Sequence, residues 1–150
     1  ARHGFHVWAY VFMPEHVHIL GVPWAEGASG ADKLLYAIKR PSSFRIRKTL
    51  KRDGDPLLAS LIVVERPDVL SFRFWQEGPG HDRNIRDQDT LGRAISYIYQ
   101  NPVERGLCSK PEEWTWSSAR QYRDLPVDPR VPRVTRWAWG RGLDLAPWKE

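Results

Sequence analysis

The alternation of apolar and polar positions predicts two strands at the start of the chain. Residues 5–12 are apolar on both alternating sets of positions, which is typical of a strand covered on both faces. A second strand-like run, 16–22, begins after only Met13, Pro14 and Glu15. Because a parallel connection needs about a dozen residues or more, the two runs are predicted to pair as an antiparallel hairpin.

The middle of the chain predicts two helices and a further strand. Residues 31–39 place leucine and isoleucine on one stripe, and Pro41 is expected to end or kink this helix. A second, basic helix is expected over 42–52. Residues 57–65 are compatible with either a helix or a strand, whereas 71–76 has the composition of a strand.

The clearest helical pattern covers residues 87–100, and Asn101 with Pro102 is expected to stop it. Its apolar positions are three and four residues apart and define a core-facing stripe of Leu91, Ala94, Ile95 and Ile98. Strands combined with amphipathic helices indicate an α+β fold, with an antiparallel sheet and helices packed on one face. We expect one domain over 1–123 and an extension rich in proline, arginine and tryptophan over 124–150.

Composition narrows the class of protein. The 150 residues are enough for one sizeable core, and the single cysteine, Cys108, has no partner in the chain, which favours a cytoplasmic protein. The longest apolar run, near 57–64, is too short to cross a bilayer, so no membrane partner is expected. A net charge of +5 and a pI of about 9.6 favour a polyanionic partner, with nucleic acid the leading candidate.

The positive charge is concentrated between residues 33 and 52, where lysines and arginines occur without a single acidic residue. Such a block can neutralise several phosphates of a DNA strand. The candidate DNA-binding residues within it are Lys39, Arg40, Arg45, Arg47 and Lys48. A solvated basic face is the alternative, and composition does not separate the two interpretations.

The stretch MPEHVHIL, residues 13–20, places two histidines on one side of a predicted strand. Successive side chains of a strand point to opposite faces, so His16 and His18 project together while Val17 projects into apolar packing. Two adjacent imidazoles can chelate a divalent cation, which then needs a third ligand. For an isolated His-x-His motif, a pair of ordinary hydrogen-bonded histidines is the favoured alternative.

A tyrosine and an asparagine in the later helix can supply what the histidines lack. Tyr97 and Asn101 are four residues apart and share one flank of that helix. If this flank faces the histidines, Asn101 is a candidate third ligand, and the phenol oxygen of Tyr97 can attack a phosphodiester to form a covalent phosphotyrosine. Tyr99 is the competing tyrosine, but it lies on the opposite flank from Asn101.

With these residues in view, the chain resembles the REP-associated tyrosine transposases, a group of single-tyrosine HUH transposases. The resemblance rests on four blocks in the family's order: MPEHVHIL at 13–20, FWQEGPGHDRNIR at 74–86, YIYQNPVERGL at 97–107 and EEWTWSSARQY at 112–122. The blocks are distributed over the span from residue 13 to residue 122. His-Val-His alone would be a weak signal, whereas four ordered blocks are a strong one.

The resemblance implies that His16 and His18 bind the metal, that Asn101 is the third ligand and that Tyr97 is the nucleophile. It implies Mg²⁺ or Mn²⁺ as the cofactor and single-stranded or hairpin DNA as the partner of a monomer or homodimer. The implied activity is that of a bacterial, nucleoid-associated enzyme that cleaves and rejoins DNA at repeat hairpins through a 5′-phosphotyrosine. It also implies a ferredoxin-like sheet, from which this chain is expected to lack the family's first strand and helix.

The block at 74–86 adds three candidate DNA contacts. Trp75 can stack on an unpaired base, because an aromatic face accepts any base. A core tryptophan at the end of a strand is the alternative. Arg83 and Arg86 are candidate phosphate contacts.

Two further functions stay open beside the transposase hypothesis. A domesticated protein would recognise repeat hairpins without cutting them, and would therefore bind DNA but form no covalent adduct with it. A small-molecule metallohydrolase is disfavoured, because the chain lacks the additional His, Asp and Lys pattern of barrel hydrolases and is shorter than such barrels require.

Overall fold

The computed structural model describes residues 4–23, 30–78 and 80–135. In chain order its elements are β1 Phe5–Phe12, β2 Val17–Pro23, α1 Ala31–Asp53, α2 Leu57–Ser60, β3 Ile62–Arg66, β4 Val69–Phe72, α3 Gln88–Glu104, a 3₁₀ turn Pro111–Glu113 and α4 Ala119–Tyr122. The described residues divide into two compact units, one formed by 4–23 and 84–135 and the other by 30–83. The α+β class is confirmed; the ferredoxin-like arrangement stays a prediction, since the described strands form two two-stranded antiparallel sheets.

The first unit is built on the hairpin that the sequence predicts. β1 and β2 pair antiparallel, with Val11 opposite His18 and Phe12 opposite Val17. The backbone N–H of Met13 donates to the carbonyl of His16 at 2.8 Å and closes the short connection. This closure fixes His16 immediately before the first residue of β2.

Helix α3 packs against this hairpin and is longer than expected. Asp87 caps it, its carboxylate accepting a hydrogen bond from the Thr90 N–H at 2.7 Å. The expectation that Asn101 and Pro102 stop the helix is wrong, because α3 continues to Glu104. The backbone N–H of Arg105 still donates to the carbonyl of Asn101 at 3.1 Å, and the burial of Pro102 in the core offsets the N–H that it lacks.

The core of the first unit lies between the hairpin and α3. The predicted stripe is confirmed, since Ile95 and Ile98 are buried and Leu91 packs against them while partly buried. The buried cluster consists of Ala9, Val11, Met13, Ile95, Ile98, Tyr99 and Ala119. Trp114 packs against this cluster, and its Nε1 donates to the carbonyl of Phe12 at 2.9 Å. The packing fixes the rotation of α3 about its axis and therefore the direction of its other side chains.

The second unit contains α1 and the β3–β4 hairpin. The expected end of a helix at Pro41, with a second helix over 42–52, is wrong, because α1 is one helix of 23 residues with Pro41 inside it. The ambiguous segment 57–65 contains both α2 and most of β3. The strand expected at 71–76 is displaced towards the amino terminus, since β4 covers Val69–Phe72 and pairs antiparallel with β3.

Pro41 is exposed in the interior of α1, where it removes a helical hydrogen bond without contributing to a core. We expect Pro41→Ala to raise the free energy of unfolding by about 1–3 kcal/mol, since proline is about 3 kcal/mol less favourable than alanine at such a position. Urea unfolding followed by circular dichroism measures the change. Thr49→Ala, exposed on the same helix, is the control and should gain less than about 1 kcal/mol; a loss of stability in Pro41→Ala would contradict the prediction.

Across the described residues, no helix has the length and the apolar character that a bilayer crossing requires.

Candidate metal and nucleophile site

The two histidines of the HVH motif lie side by side in the first unit. Their ring centroids are 4.8 Å apart, with an angle of 80° between the ring planes. Burial, together with the neighbouring His16, lowers the pKa of His18. A lowered pKa keeps the His18 imidazole neutral near pH 7, and a neutral imidazole has the lone pair that a metal ligand needs.

Asn101 reaches the same place from α3. It is 6% exposed, and its Nδ2 lies 3.3 Å from Nε2 of His18. Its Oδ1 is buried and has no hydrogen-bond partner among the described residues, which is rare for a buried acceptor. Because rotation about the last side-chain bond exchanges the two amide atoms, the oxygen can also face His18 Nε2.

The donor set fits a divalent cation. Within the described residues no group of three His, Cys, Asp or Glu side chains is placed to hold a metal ion. Asn101, which lies beside His18, is the candidate third protein ligand for a metal at His16 and His18. An amide oxygen suits Mg²⁺ and Mn²⁺, and the unpaired Oδ1 is the kind of atom that a cation would satisfy.

Tyr97 stands beside this group of side chains, one helical turn before Asn101. Its ring centroid is 5.2 Å from that of His18, with an interplanar angle of 75°. The side chain is 52% exposed, so a substrate can reach it. The four residues of the predicted site thus lie in one place: His16, His18, Tyr97 and Asn101.

Tyr99 lies in a different environment. It is completely buried in the core, where its ring packs 6.1 Å from that of Tyr122. The Ser118 hydroxyl lies within hydrogen-bonding distance of the Tyr99 hydroxyl, at 3.4 Å. Burial raises the pKa of Tyr99 far above its usual value, so its hydroxyl stays protonated and inaccessible.

An ion pair that was not predicted from the sequence lies at the edge of the site. The guanidinium of Arg105, just after α3, donates to the carboxylate of Glu15 in the hairpin connection. The same carboxylate lies 3.8 Å from Nδ1 of His16. Both partners are about half exposed, so the pair contributes at most about 1 kcal/mol to stability. Arg105 lies inside the block at 97–107, and this position was the sequence feature that could have identified it as a site residue.

The candidate DNA-binding residues of α1 fall into two groups. Arg45 and Lys48 are exposed. Three others already have intramolecular contacts. Lys39 Nζ donates to the carbonyls of Gln76 and Gly78, Arg40 donates to the Tyr36 hydroxyl, and the Arg47 guanidinium lies 5.9 Å from the centre of the Phe72 ring.

The candidates in the block at 74–86 also differ in environment. Trp75 is partly buried and its Nε1 donates to Ser42 Oγ at 2.9 Å, which places it against α1. Arg83 and Arg86 are exposed, the first in the second unit and the second in the first unit.

Comparison with known proteins finds a distant relative. A protein of Haemophilus influenzae named "Putative REP-associated tyrosine transposase" is 23% identical over 141 residues, which cover 94% of this chain and 70% of the relative. No protein-family model matches the chain. No solved structure matches it either.

Proposed function

We propose that this chain cleaves and rejoins single-stranded DNA at repeat hairpins, with Tyr97 as the nucleophile. The observation that carries the proposal is the convergence of Tyr97 and Asn101 from α3 on His16 and His18 of the hairpin. The name of the Haemophilus relative, a REP-associated tyrosine transposase, supports the same class of reaction. The basic composition of the chain agrees with a DNA substrate.

We propose Mg²⁺ or Mn²⁺ as the cofactor, held by His16, His18 and Asn101. A divalent cation at these ligands would act as a Lewis acid, withdrawing charge from a nonbridging phosphate oxygen. The buried Oδ1 of Asn101, which has no partner among the described residues, supports this assignment, because a cation would supply that partner once the amide is turned so that the oxygen faces His18.

The proposed reaction is a transesterification. The phenol oxygen of Tyr97 forms a bond to phosphorus, the bond from phosphorus to the 3′ oxygen breaks, and a free 3′ hydroxyl leaves. The strand stays attached as a 5′-phosphotyrosine. The phenolic proton passes to solvent, which the half-exposed side chain permits, and the leaving 3′ oxygen takes up a proton from solvent. Attack by a 3′ hydroxyl on the same phosphorus reverses the step and rejoins a strand.

The proposal is tested by covalent capture. A library of hairpin oligonucleotides with randomised single-stranded flanks is incubated with the full chain in Mn²⁺, and products that survive denaturing electrophoresis are recovered and sequenced. We expect an adduct that forms with Mn²⁺ or Mg²⁺ and falls to background after chelation. The recovered sequences would identify the hairpin and the cleavage position.

The same experiment separates the enzyme from a binding protein. Hairpins retained under native conditions without any denaturation-resistant adduct, in either metal, would replace the nuclease proposal with that of a domesticated hairpin-binding protein. Hydrolysis of small phosphoesters without affinity for DNA would instead revive the metallohydrolase hypothesis.

The exposed cations of α1 give a second prediction. We expect Arg45→Ala combined with Lys48→Ala to weaken single-stranded DNA binding and to make the dependence of log K on log salt shallower by about 1.4, since each phosphate contact contributes about 0.7. Fluorescence anisotropy over a series of NaCl concentrations measures the slope.

Arg52→Ala is the matched control for this measurement, because its guanidinium already pairs with Asp53 on the same helix. It removes one positive charge and should change the slope by clearly less than the value of about 0.7 expected for one phosphate contact. An unchanged slope in the Arg45 and Lys48 variant would assign these side chains to a solvated face.

A further inference from the structure

The second unit contains a cleft that the proposed reaction does not use. It has a volume of about 400 Å³ and lies between α1 and the segment that follows β4. Its aromatic lining residues are Tyr36, Phe72, Phe74 and Trp75, and its cationic ones are Lys39, Arg40 and Arg73. Asp32 is the acidic residue that lines it, so cations outnumber carboxylates on its walls.

Hydrogen bonds made by side chains connect the two walls of the cleft. Trp75 Nε1 donates to Ser42 Oγ at 2.9 Å, and this hydroxyl in turn donates to the carbonyl of Ile38 at 2.6 Å. Lys39 Nζ donates to the carbonyls of Gln76 and Gly78 at 3.3 and 2.8 Å. These bonds attach the segment after β4 to α1, so the cleft is formed before any ligand arrives.

Two aromatic side chains of the cleft are exposed, whereas Trp75 is partly buried. Tyr36 is 60% exposed and Phe74 is 38% exposed. The rings of Phe74 and Trp75 meet edge to face, with centroids 5.2 Å apart. The guanidinium of Arg40 lies 5.6 Å from the centre of the Tyr36 ring. Exposed aromatic faces with a stacked guanidinium are the features by which proteins hold unpaired bases.

The polar groups of the cleft fit the remaining parts of a nucleotide. Arg40 and Lys39 supply positive charge for a phosphate, whereas the Arg73 guanidinium is already paired with Glu77 at 2.7 Å. The Asp32 carboxylate can accept hydrogen bonds from the amino group of a base. The volume lies within the range of about 300–1,000 Å³ that small-molecule sites occupy, and suits one nucleotide.

We propose that this cleft binds one unpaired nucleotide of the DNA strand, its base stacked among Tyr36, Phe74 and Trp75 and its phosphate beside Arg40. The inference rests on the proposed DNA substrate but does not require cleavage. It identifies the substrate as a strand with an extruded base, since a base that is paired in a duplex cannot present its faces to these rings.

The test compares the removal of the base with the removal of the cleft's rings. An oligothymidylate with one 2-aminopurine, and a matched strand with an abasic site there, are bound to the full chain in EDTA. We expect wild type to quench the 2-aminopurine and to bind the abasic strand about tenfold or more weakly. In the variant Tyr36→Ala with Phe74→Ala, quenching should disappear and the two strands should bind equally.

Two further variants make the result specific. Phe44→Ala removes an aromatic ring that is 70% exposed on the same helix but does not line the cleft, and it should bind as wild type does. Tyr36→Phe retains the ring and should retain the quenching. Equal losses in Phe44→Ala, or equal affinity of wild type for the two strands, would overturn the inference.

The location and the source of the base are tested separately. A strand with 5-iodouracil at the same position should crosslink to Tyr36 or Trp75, as identified by mass spectrometry of the peptides. Excess dAMP is not expected to displace the strand. Displacement by dAMP, even at a concentration no higher than that of the strand, would indicate a site for free nucleotides and would overturn the proposal.

The two proposals fail separately. An affinity that depends on the base, without a covalent adduct, would contradict only the nuclease proposal, whereas an adduct without dependence on the base would contradict only this one.

Discussion

A Tyr97→Phe variant is expected to form no covalent adduct with DNA, while a Tyr99→Phe variant retains it. The variant Tyr97→Phe removes a single hydroxyl from a side chain that is 52% exposed beside His18, so the fold and DNA binding should be unchanged. Without this oxygen no bond to phosphorus can form, and the adduct falls to the background of the assay.

The Tyr99→Phe control removes the same atom two residues away. Tyr99 is buried, and its pKa is raised by that burial, so its hydroxyl is not available to a phosphodiester. The loss of its contact with Ser118 should reduce the free energy of unfolding by about 1 kcal/mol without reducing the amount of adduct. Covalent capture at equal protein and DNA concentrations measures both variants.

The outcomes of this pair are distinguishable. An adduct that survives in Tyr97→Phe but is lost in Tyr99→Phe, with both proteins folded, would transfer the nucleophile to Tyr99 and would require the core to open. An adduct in both variants would show that a different side chain attacks. Circular dichroism of each variant excludes loss of the fold as the cause.

The arrangement of the site follows from local periodicities that the sequence displays directly. The period of two in a strand brings His16 and His18 together, and the helical spacing of four brings Tyr97 and Asn101 to one flank. What remained open was whether that flank faces the histidines. The burial of Ile95 and Ile98 against the hairpin decides this, because it fixes the rotation of α3.

The boundaries of the helices were less predictable. Proline is expected to end or kink a helix, because it lacks the backbone N–H and clashes with the preceding turn. Nevertheless, α1 continues through Pro41 and α3 through Pro102. At Pro102 the buried ring belongs to the core, and such packing outweighs the lost hydrogen bond. At Pro41 the neighbouring Ser42 hydroxyl donates to the carbonyl of Ile38, and no comparable burial is present.

The cleft in the second unit was not predictable from the sequence, because it depends on contacts between distant residues. Trp75 was recognised as a candidate for stacking on a base, but its partner Ser42 is 33 residues away. Tyr36 carried no signal of its own, since single aromatic residues occur on most surfaces, and Phe74 was noted only as the first residue of the block at 74–86. Their exposure beside one another appears only once the segment after β4 lies against α1.

An Asn101→Leu variant is expected to lose activity while keeping its stability. Leucine has the same branching and the same number of side-chain heavy atoms as asparagine, so it fills the buried position without creating a cavity. The variant removes a buried oxygen that has no partner among the described residues, which is stabilising, and the Nδ2 contact with His18, which costs about 1 kcal/mol. Thermal unfolding without metal should therefore occur close to the wild-type temperature.

The same substitution should weaken the binding of the cation. Loss of one of three protein ligands is expected to reduce Mn²⁺ affinity by at least about tenfold to a hundredfold. Mutation of residues that only hydrogen-bond to metal ligands already reduces metal affinity by this amount. Titration followed by the electron paramagnetic resonance of free Mn²⁺ measures this independently of activity. The amount of adduct at limiting Mn²⁺ should fall by at least about a hundredfold, because Lewis-acid stabilisation contributes several kcal/mol.

Gln100→Leu is the matched control, since it removes an amide from the adjacent, less buried position of α3 and should leave Mn²⁺ affinity unchanged. Asn101→Asp should restore metal binding, because it keeps an oxygen ligand, while lowering stability without metal through burial of a charge. Destabilisation of Asn101→Leu by 2 kcal/mol or more, on the order expected for a lost satisfied hydrogen bond to a buried group, would mean that the oxygen has a structural partner. Conserved stability together with a lower Mn²⁺ affinity is the result expected if the Asn101 oxygen serves as a metal ligand and not as a structural hydrogen-bond acceptor.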